Sequence, residues 1–335
     1  MADKFIKMKN NPFITHYAAV VGSKEKEGPL GFCFENYSED SLFGAKSYEK
    51  AESRLQQIAI NSVLQKANLD FEDIDVVFAG DLLNQCISSS FGLRNKKVAF
   101  VGLYGACSTM ALSLCQAAIY VDNGIANKAI ACTSSHFCSA ERQYRFPLEY
   151  GSQRTPTAQW TVTGSGAVLV TNQKSNVQIK SLLFGRVIDL GIKDANNMGA
   201  AMAPAAADTI KRYFEESGTA PQDYDKIYTG DLGLVGSDLL YTLLEREGID
   251  IKKQHEDCGL MIFDRIKQDV HAGGSGCGCS ASVLTGYILK QLEKGEYKNI
   301  LFCATGALLS PTSCLQGESI PSIAHIIQIV NTKLC

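Results

Sequence analysis

The sequence predicts an α/β protein built from two tandem, divergent copies of one structural unit. Short segments of the 335-residue chain recur in the same order in its second half. The recurring pairs are residues 73–82 with 223–232, 105–108 with 277–280, and 127–133 with 298–304. Apolar runs of strand length alternate with helical patterns in both halves, which is typical of a mostly parallel sheet covered by helices on both faces.

The elements of the two copies can be outlined from their periodicity. In the first half, a helix is predicted over 47–67, strands over 74–79, 98–103 and 128–133, and an alanine-rich helix after Ser108 to about Tyr120. In the second half, helices are predicted over 198–217, 237–247 and 280–293, and strands over 226–229 and 299–304. The predicted halves are 1–175 and 176–335. No low-complexity linker separates them, so we expect one compact body.

The composition argues against several classes of protein. Hydrophobic residues make up 45% and charged residues 20%, which is ordinary for a globular protein and argues against disorder. A net charge of -3 and a pI near 6.0 give no general reason to expect nucleic-acid binding. No uncharged apolar run is long enough for a transmembrane helix, and the first residues do not read as a signal peptide.

The 12 cysteines suggest a disulfide framework at first sight. They lie in apolar or glycine-rich stretches, however, and a chain of this length does not need disulfides to hold a core. Reduced, buried thiols are therefore expected. Cys277 and Cys279 form a close pair, but no second pair at zinc-finger spacing follows, so no metal site is expected.

Cys107 is the first candidate for chemistry. It lies where a predicted strand passes into a helix, within the turn Gly105-Ala106-Cys107-Ser108. The helix dipole and the unpaired N–H groups at such a position favour a thiolate, so the pKa of the thiol is expected to fall. The alternative is a small apolar residue at the start of a helix.

Asp81, Ser135 and His136 follow the ends of two other predicted strands. Ligands of open parallel sheets bind beyond the carboxyl ends of the strands, so these residues are expected near Cys107. The alternative for Asp81 is a helix cap or turn residue, and that for His136 is a surface or capping histidine.

The glycine-rich stretch 273–280 is the third candidate and includes Gly274 and Ser275. Closely spaced glycines expose N–H donors to a ligand, or alternatively let two halves of a protein pack tightly. No Gly-Lys-Ser/Thr follows, so the stretch is not a Walker phosphate loop. Residues 164–166 imitate part of a nucleophile elbow, but β-like sequence on both sides excludes that interpretation.

Several long strings resemble the stage V sporulation protein AD family, within the thiolase and ketosynthase superfamily. They are residues 24–31, 79–85, 105–109, 133–136, 201–210, 273–277 and 304–311. The resemblance implies a thiolase-like fold with two pseudo-symmetric α/β halves and mixed sheets layered by helices. It also implies a spore protein that binds dipicolinic acid (pyridine-2,6-dicarboxylate), with Asp81, Cys107 and His136 at the pocket.

The same resemblance implies the partners. The ligand is dipicolinic acid, with its calcium chelate as a further form, and no cofactor is expected. Other products of the stage V sporulation protein A operon would be contacted at the spore inner membrane, where this protein would lie peripherally. A homodimer follows by analogy with the thiolase fold, and no nucleic acid is expected.

Departures from thiolases predict a binder without catalytic activity. Thiolases carry a Gly-His-Pro turn, to which Gly278-Cys279-Ser280 corresponds in this chain, and a Cys-x-Gly turn, to which Cys303-Ala304-Thr305 corresponds. A cysteine nucleophile needs a base, and the second-half histidine is missing. The alternative is an acyl-transfer enzyme that uses Cys107 with His136 as base. In either case one pocket is expected, lined by Asp81, Cys107, Ser135, His136, Gly274 and Ser275, with Asp81 either touching the ligand or orienting its neighbours.

Overall fold

The computed structural model describes residues 5–144 and 154–334. Within these ranges the strands are β1 Phe5–Lys7, β2 Phe13–Gly22, β3 Asn36–Ser38, β4 Val76–Gly80, β5 Ala99–Gly102, β6 Lys128–Ser135, β7 Trp160–Thr161, β8 Gly164–Thr171, β9 Val177–Leu183, β10 Lys226–Thr229, β11 His255–Asp257, β12 Gly274–Ser275, β13 Asn299–Ala307 and β14 Ser322–Asn331. The helices are α1 Ser23–Lys26, α2 Tyr48–Ala67, α3 Ile87–Leu93, α4 Thr109–Asp122, α5 Phe137–Tyr144, α6 Met198–Ser217, α7 Gly233–Glu245, α8 Cys258–Met261, α9 Cys277–Val283, α10 Leu289–Lys294 and α11 Pro311–Leu315. A π-helical stretch, Leu284–Ile288, joins α9 to α10.

The two halves of the large sheet have the same strand topology when each is followed from its outer edge to the centre. It runs β11-β10-β13-β14-β9 in the second half and continues as β2-β8-β6-β4-β5 in the first. In each half the strands next to the outer edge are parallel and the strands next to the centre are antiparallel. The prediction of two pseudo-symmetric α/β halves with mixed sheets is therefore confirmed.

Register shows which residues are equivalent. Ala79 pairs with Cys132 between β4 and β6, and Thr229 pairs with Cys303 between β10 and β13. Gly80 and Gly230 follow directly and hold equivalent positions, as the repeated segments predict. Equivalence at the second repeated segment, residues 105–108 with 277–280, is looser, because Cys107 precedes α4 whereas Cys279 lies inside α9.

The two halves share one sheet through the pairing of β2 with β9. Phe13 pairs with Gln178 and Ile14 with Val177. The predicted division between residues 175 and 176 falls in the connection from β8 to β9, and it stays a prediction. Because β1 of the first half also pairs with β9, the halves are continuous at the centre of the molecule.

Helices cover the sheet in layers. One apolar cluster joins α4, α9 and α10 to the facing strands of both halves. A second cluster packs α6 against the second half, and a third packs α2 against the first. The helices that begin near residues 107 and 277 are thus buried between the halves.

The halves approach each other so closely that side chains are excluded at two points. A Cβ on Gly278 would lie 2.4 Å from the carbonyl oxygen of Gly164, and one on Gly306 would lie 2.2 Å from that of Gly105. Contacts this short are not seen for real Cβ atoms, so both positions require glycine.

Helix α7 begins four residues before the predicted start at 237, and the reason is a distant carboxylate. Gly233 has φ +62°, which favours glycine, and Asp257 accepts hydrogen bonds from the N–H groups of Leu232 (2.9 Å) and Gly233 (2.9 Å). This long-range cap supplies the start signal that the local sequence lacks.

Candidate functional site

A pocket opens between the two halves, beside the start of α4. Its empty volume, including the open mouth, is about 790 Å³. Apolar side chains form much of its wall, and polar groups are interspersed among them. The lining residues are Leu82, Ala106, Cys107, Ala140, Glu141, Tyr144, Gln159, Thr161, Ala195, Asn196, Met198, Met202, Ser275, Ala307 and Leu309.

Two of the six predicted site residues line this pocket. Cys107 comes from the first half, just before α4, and Ser275 comes from the second half, in the short strand β12. Ser275 is held there by parallel pairing with Thr161, which also lines the pocket. Asp81, Ser135, His136 and Gly274 are not among the residues that line this pocket, and a role for them in ligand binding stays a prediction.

Asp81 is a turn residue, as its alternative interpretation stated. It is fully buried, and Oδ1 accepts a hydrogen bond from the N–H of Leu83 at 2.9 Å. Its Oδ2 accepts from the N–H and the hydroxyl of Ser89, at 2.8 and 2.6 Å. Burial raises the pKa of this carboxyl, and burial together with the charge of Asp81 raises the pKa of Glu52 to about 8. Asp81 therefore shapes the loop that carries Leu82 to the pocket.

Ser135 and His136 also use their polar atoms within the protein. The Ser135 hydroxyl donates to the carbonyl of Val162 at 2.7 Å and accepts from the N–H of Gly278 at 3.1 Å. His136 places Nε2 2.8 Å from the carbonyl of Ser41, and its Nδ1 accepts from the N–H of Cys138 at 3.1 Å. Burial lowers the pKa of His136, so the ring is neutral. This histidine does not contact Cys107 as a base.

The glycine-rich stretch serves mainly in packing. A Cβ on Gly274 would lie 2.8 Å from the Ile262 side chain, and Gly276, with φ +102°, lies against Ser135. Together with the Gly278 contact, this favours the tight-packing alternative for the stretch. Its contribution to the pocket is the hydroxyl of Ser275.

Cys107 has a neutral thiol in this structure, which corrects the expectation of a thiolate. Ala106 adopts φ +50° and turns the chain so that the thiol reaches the pocket from the helix start. Burial raises the pKa of Cys107, and the charge of the nearby Asp231 carboxyl raises it further. The N–H of Gly276 and the hydroxyl of Ser275 act in the opposite direction, but they are weaker.

Asp231 is the residue that the sequence interpretation missed. It lies fully buried behind Cys107, and its Oδ2 accepts from the N–H of Gly276 at 2.7 Å and the Ser275 hydroxyl at 3.3 Å. Its Oδ1 accepts from the hydroxyl of Thr305 at 2.9 Å. Burial raises the pKa of this carboxyl to about 7. The repeated segment Gly230-Asp231-Leu232, which echoes Gly80-Asp81-Leu82, was the available signal.

The two thiolase-like turns also occupy other places than expected. Cys277, rather than Cys279, packs against Cys107, and its thiol donates to the carbonyl of Ser134 at 2.9 Å. Cys303 lies in β13, within an apolar cluster. Farther along the chain, Ala307 and Leu309 reach the pocket.

The eleven cysteines in the described ranges are free thiols. In the same ranges no cluster of three or more histidine, cysteine or acidic side chains is arranged to hold a metal ion. Of the helices described, none combines the length and apolar character needed to cross a membrane.

The buried carboxyls predict an unusual dependence of stability on pH. Burial raises the pKa of Asp257 to about 6 and those of Asp231 and Glu25 to about 7. Their folded-state pKa lies above the unfolded value, so they contribute stability that is present below about pH 4 and is lost as pH rises through 6 to 7. The buried histidines, whose pKa is lowered, oppose this only below about pH 6.5.

We therefore expect the melting temperature to fall between about pH 6.5 and 8.5, measured by differential scanning calorimetry. Glu25→Gln should make the melting temperature fall less, because it removes one of the titrating carboxyls. The substitution disturbs few contacts: Glu25 Oε1 accepts the N–H of Thr163 (2.9 Å), and Oε2 has no partner in the described ranges. A melting temperature that rises over this interval would contradict the assignment.

Comparison with known proteins identifies the family. The model of the family Stage V sporulation protein AD (SpoVAD) matches residues 2–330. Stage V sporulation protein AD of Bacillus subtilis (strain 168) is 47% identical over 313 residues, which are 93% of this chain and 92% of that protein.

Solved structures with a similar fold are enzymes of low sequence identity. The 3-oxoacyl-[acyl-carrier-protein] synthase III of Aquifex aeolicus VF5 has a TM-score of 0.57 at 13% identity, covering 95% of this chain and 99% of that one. The human mitochondrial 3-ketoacyl-CoA thiolase, solved with CoA, has a TM-score of 0.59 at 13% identity, covering 98% and 99%. An OleA variant of Xanthomonas campestris has a TM-score of 0.59 at 14% identity, covering 97% and 99%. The fold is thus thiolase-like, and the chain belongs to the stage V sporulation protein AD family of sporulation proteins.

Proposed function

We propose that this protein binds dipicolinic acid in the pocket between its halves and performs no chemistry on it. The observation that carries the proposal is the partner of Cys107. In place of an imidazole base, the thiol meets the carboxyl of Asp231, and its pKa is raised rather than lowered. A neutral thiol is a poor nucleophile but can donate a hydrogen bond and fill space against a ligand.

The shape of the pocket supports a small aromatic acid. Apolar side chains of Leu82, Met202 and Leu309 offer flat contact for a ring. The hydroxyls of Thr161 and Ser275 and the thiol of Cys107 lie on the same lining and can donate to a carboxylate. A pyridine dicarboxylate needs both kinds of surface.

We propose further that the calcium chelate of the acid is accommodated. Gln159 lines the pocket, and its Oε1 is buried without a hydrogen-bond partner in the described ranges. The side chain is fixed because Nε2 donates to the carbonyls of Asp231 and Gly274, both at 2.8 Å. Calcium favours such carbonyl oxygens as ligands.

By family membership, this binding would support the movement of dipicolinic acid during sporulation and spore germination. We propose that the protein works at the spore inner membrane as a peripheral component, together with other products of the stage V sporulation protein A operon. Binding without turnover suits such a role, because the acid must leave the site unchanged.

We also propose that two copies pair through the edge strand β5. This strand ends the sheet, and Val101 on it is 36% exposed, with Phe91 (44%) and Tyr104 (45%) also exposed. An open apolar edge pairs readily with a second strand. Sedimentation velocity should show a dimer that Val101→Lys dissociates and that Leu315→Lys, at an exposed position outside β5, leaves intact; a monomeric wild-type protein would refute the pairing.

Calorimetric titration tests the binding function. Cys107→Ala should weaken dipicolinate binding by ~1 kcal/mol, about fivefold, through lost packing. Cys107→Phe should weaken it more, because the ring would occupy the cavity. Cys138→Ala serves as the matched control, since Cys138 lies on α5 and does not line the pocket.

Acetyl-CoA should be titrated in parallel, with release of free CoA followed. No release is expected from the wild-type protein. Turnover of acetyl-CoA that Cys107→Ala abolishes would establish the acyl-transfer alternative instead. Unchanged dipicolinate binding in both Cys107 variants would place the ligand outside this pocket.

A further inference from the structure

Asp231 competes with a ligand for the same hydrogen-bond donors. The Ser275 hydroxyl, which lines the pocket, donates to Asp231 Oδ2 at 3.3 Å. The Cys107 thiol lies on the same lining, and burial and the charge of this carboxyl both raise the pKa of the thiol. While Asp231 is ionised it attracts both hydrogens, so each donor, which carries a single hydrogen, serves a carboxylate in the pocket only when that attraction is relieved.

The remaining bonds of Asp231 keep the carboxyl in place in either protonation state. Gly276 donates its N–H to Oδ2 at 2.7 Å, and Thr305 donates its hydroxyl to Oδ1 at 2.9 Å. A Thr hydroxyl can also accept, so a protonated Asp231 can donate to Thr305 without moving. The two mobile hydrogens at the pocket are then those of Cys107 and Ser275.

The surroundings of Asp231 disfavour its ionised form. It is fully buried, and the negative charge of another carboxylate, Asp257, raises its pKa further. The other titratable groups around it in the described ranges are the thiols of Cys107, Cys258, Cys277 and Cys279, all with raised pKa. A negatively charged ligand beside Cys107 would add a further like charge in a low-dielectric site.

We propose that Asp231 is a positioning residue that makes ligand binding at this pocket take up a proton. When Asp231 is protonated, Cys107 and Ser275 turn their hydrogens to a ligand carboxylate. When it is ionised, it draws both hydrogens to itself and repels the ligand. This inference rests on the proposed function, because it assumes that a carboxylate binds against Cys107 and Ser275.

The consequence is that the pocket holds an anionic acid at neutral or lower pH and releases it as pH rises. Carboxyls of small acids titrate near pH 4, so a proton taken up near neutral pH belongs to the protein. For one linked proton, affinity falls by up to about tenfold per pH unit above the pKa of the free group. The raised pKa of Asp231, about 7, places this change near neutrality.

The test is calorimetric titration with dipicolinate between about pH 6 and 8.5, repeated in buffers of different ionisation enthalpy, which counts the protons taken up. The wild-type protein should take up a fraction of a proton near pH 7, rising toward one at pH 8.5. Asp231→Asn should bind with pH-independent affinity and take up none. Glu25→Gln is the matched control: the Glu25 carboxyl is also buried with a pKa of about 7, but its hydrogen bond comes from Thr163, which does not line the pocket, so proton uptake should persist.

The outcomes separate this inference from the proposed function. Binding by the wild-type protein without proton uptake, and with unchanged affinity over this range, would overturn the role of Asp231. Failure to bind dipicolinate at any pH would refute the proposed function itself. Because the proton count is made on the wild-type protein, it decides the matter even if Asp231→Asn does not fold.

Discussion

The close contact between the start of α9 and the first half of the chain is the constraint on which the site depends. Gly278 fits between Gly164 and Ser135 because it has no side chain, and Ser135 accepts its N–H at 3.1 Å. This contact holds the preceding residues, Ser275 and Gly276, against the start of α4. The carboxyl of Asp231 then reaches Gly276, Ser275 and Cys107 together.

The two copies of the repeated Gly-Asp turn play different parts at the pocket. Asp81 and Asp231 follow equivalent strands, and both are buried carboxyls that accept backbone N–H groups. Asp81 bonds within its own half, to Leu83 and Ser89, whereas Asp231 bonds to the turn that crosses to Cys107. The aspartate of the repeated unit therefore stabilises a loop in the first half and contacts the pocket turn in the second half.

The sequence predicted the repeating elements well and the site less well. Helix 198–217 and strand 226–229 match α6 and β10 to the residue, because their periodicity and flanking turns are local signals. The sequence pattern does not predict the central antiparallel strands β2, β9 and β14, because an apolar run is compatible with either a buried strand or a buried helix. Of the site, Cys107 and Ser275 were found, but burial of His136 and the use of its ring nitrogens by Ser41 and Cys138 depend on distant contacts that no local pattern shows.

The proposed function assigns to this thiolase-like fold the holding of an acid without its transformation, on the ground that the cysteine meets Asp231 among the described residues. The most direct measurement is a crystal structure of the protein with dipicolinate. The account predicts electron density for the ring between Leu82 and Met202, with one carboxylate within hydrogen-bond distance of Cys107 and Ser275. Density elsewhere, with this pocket unchanged, would contradict it.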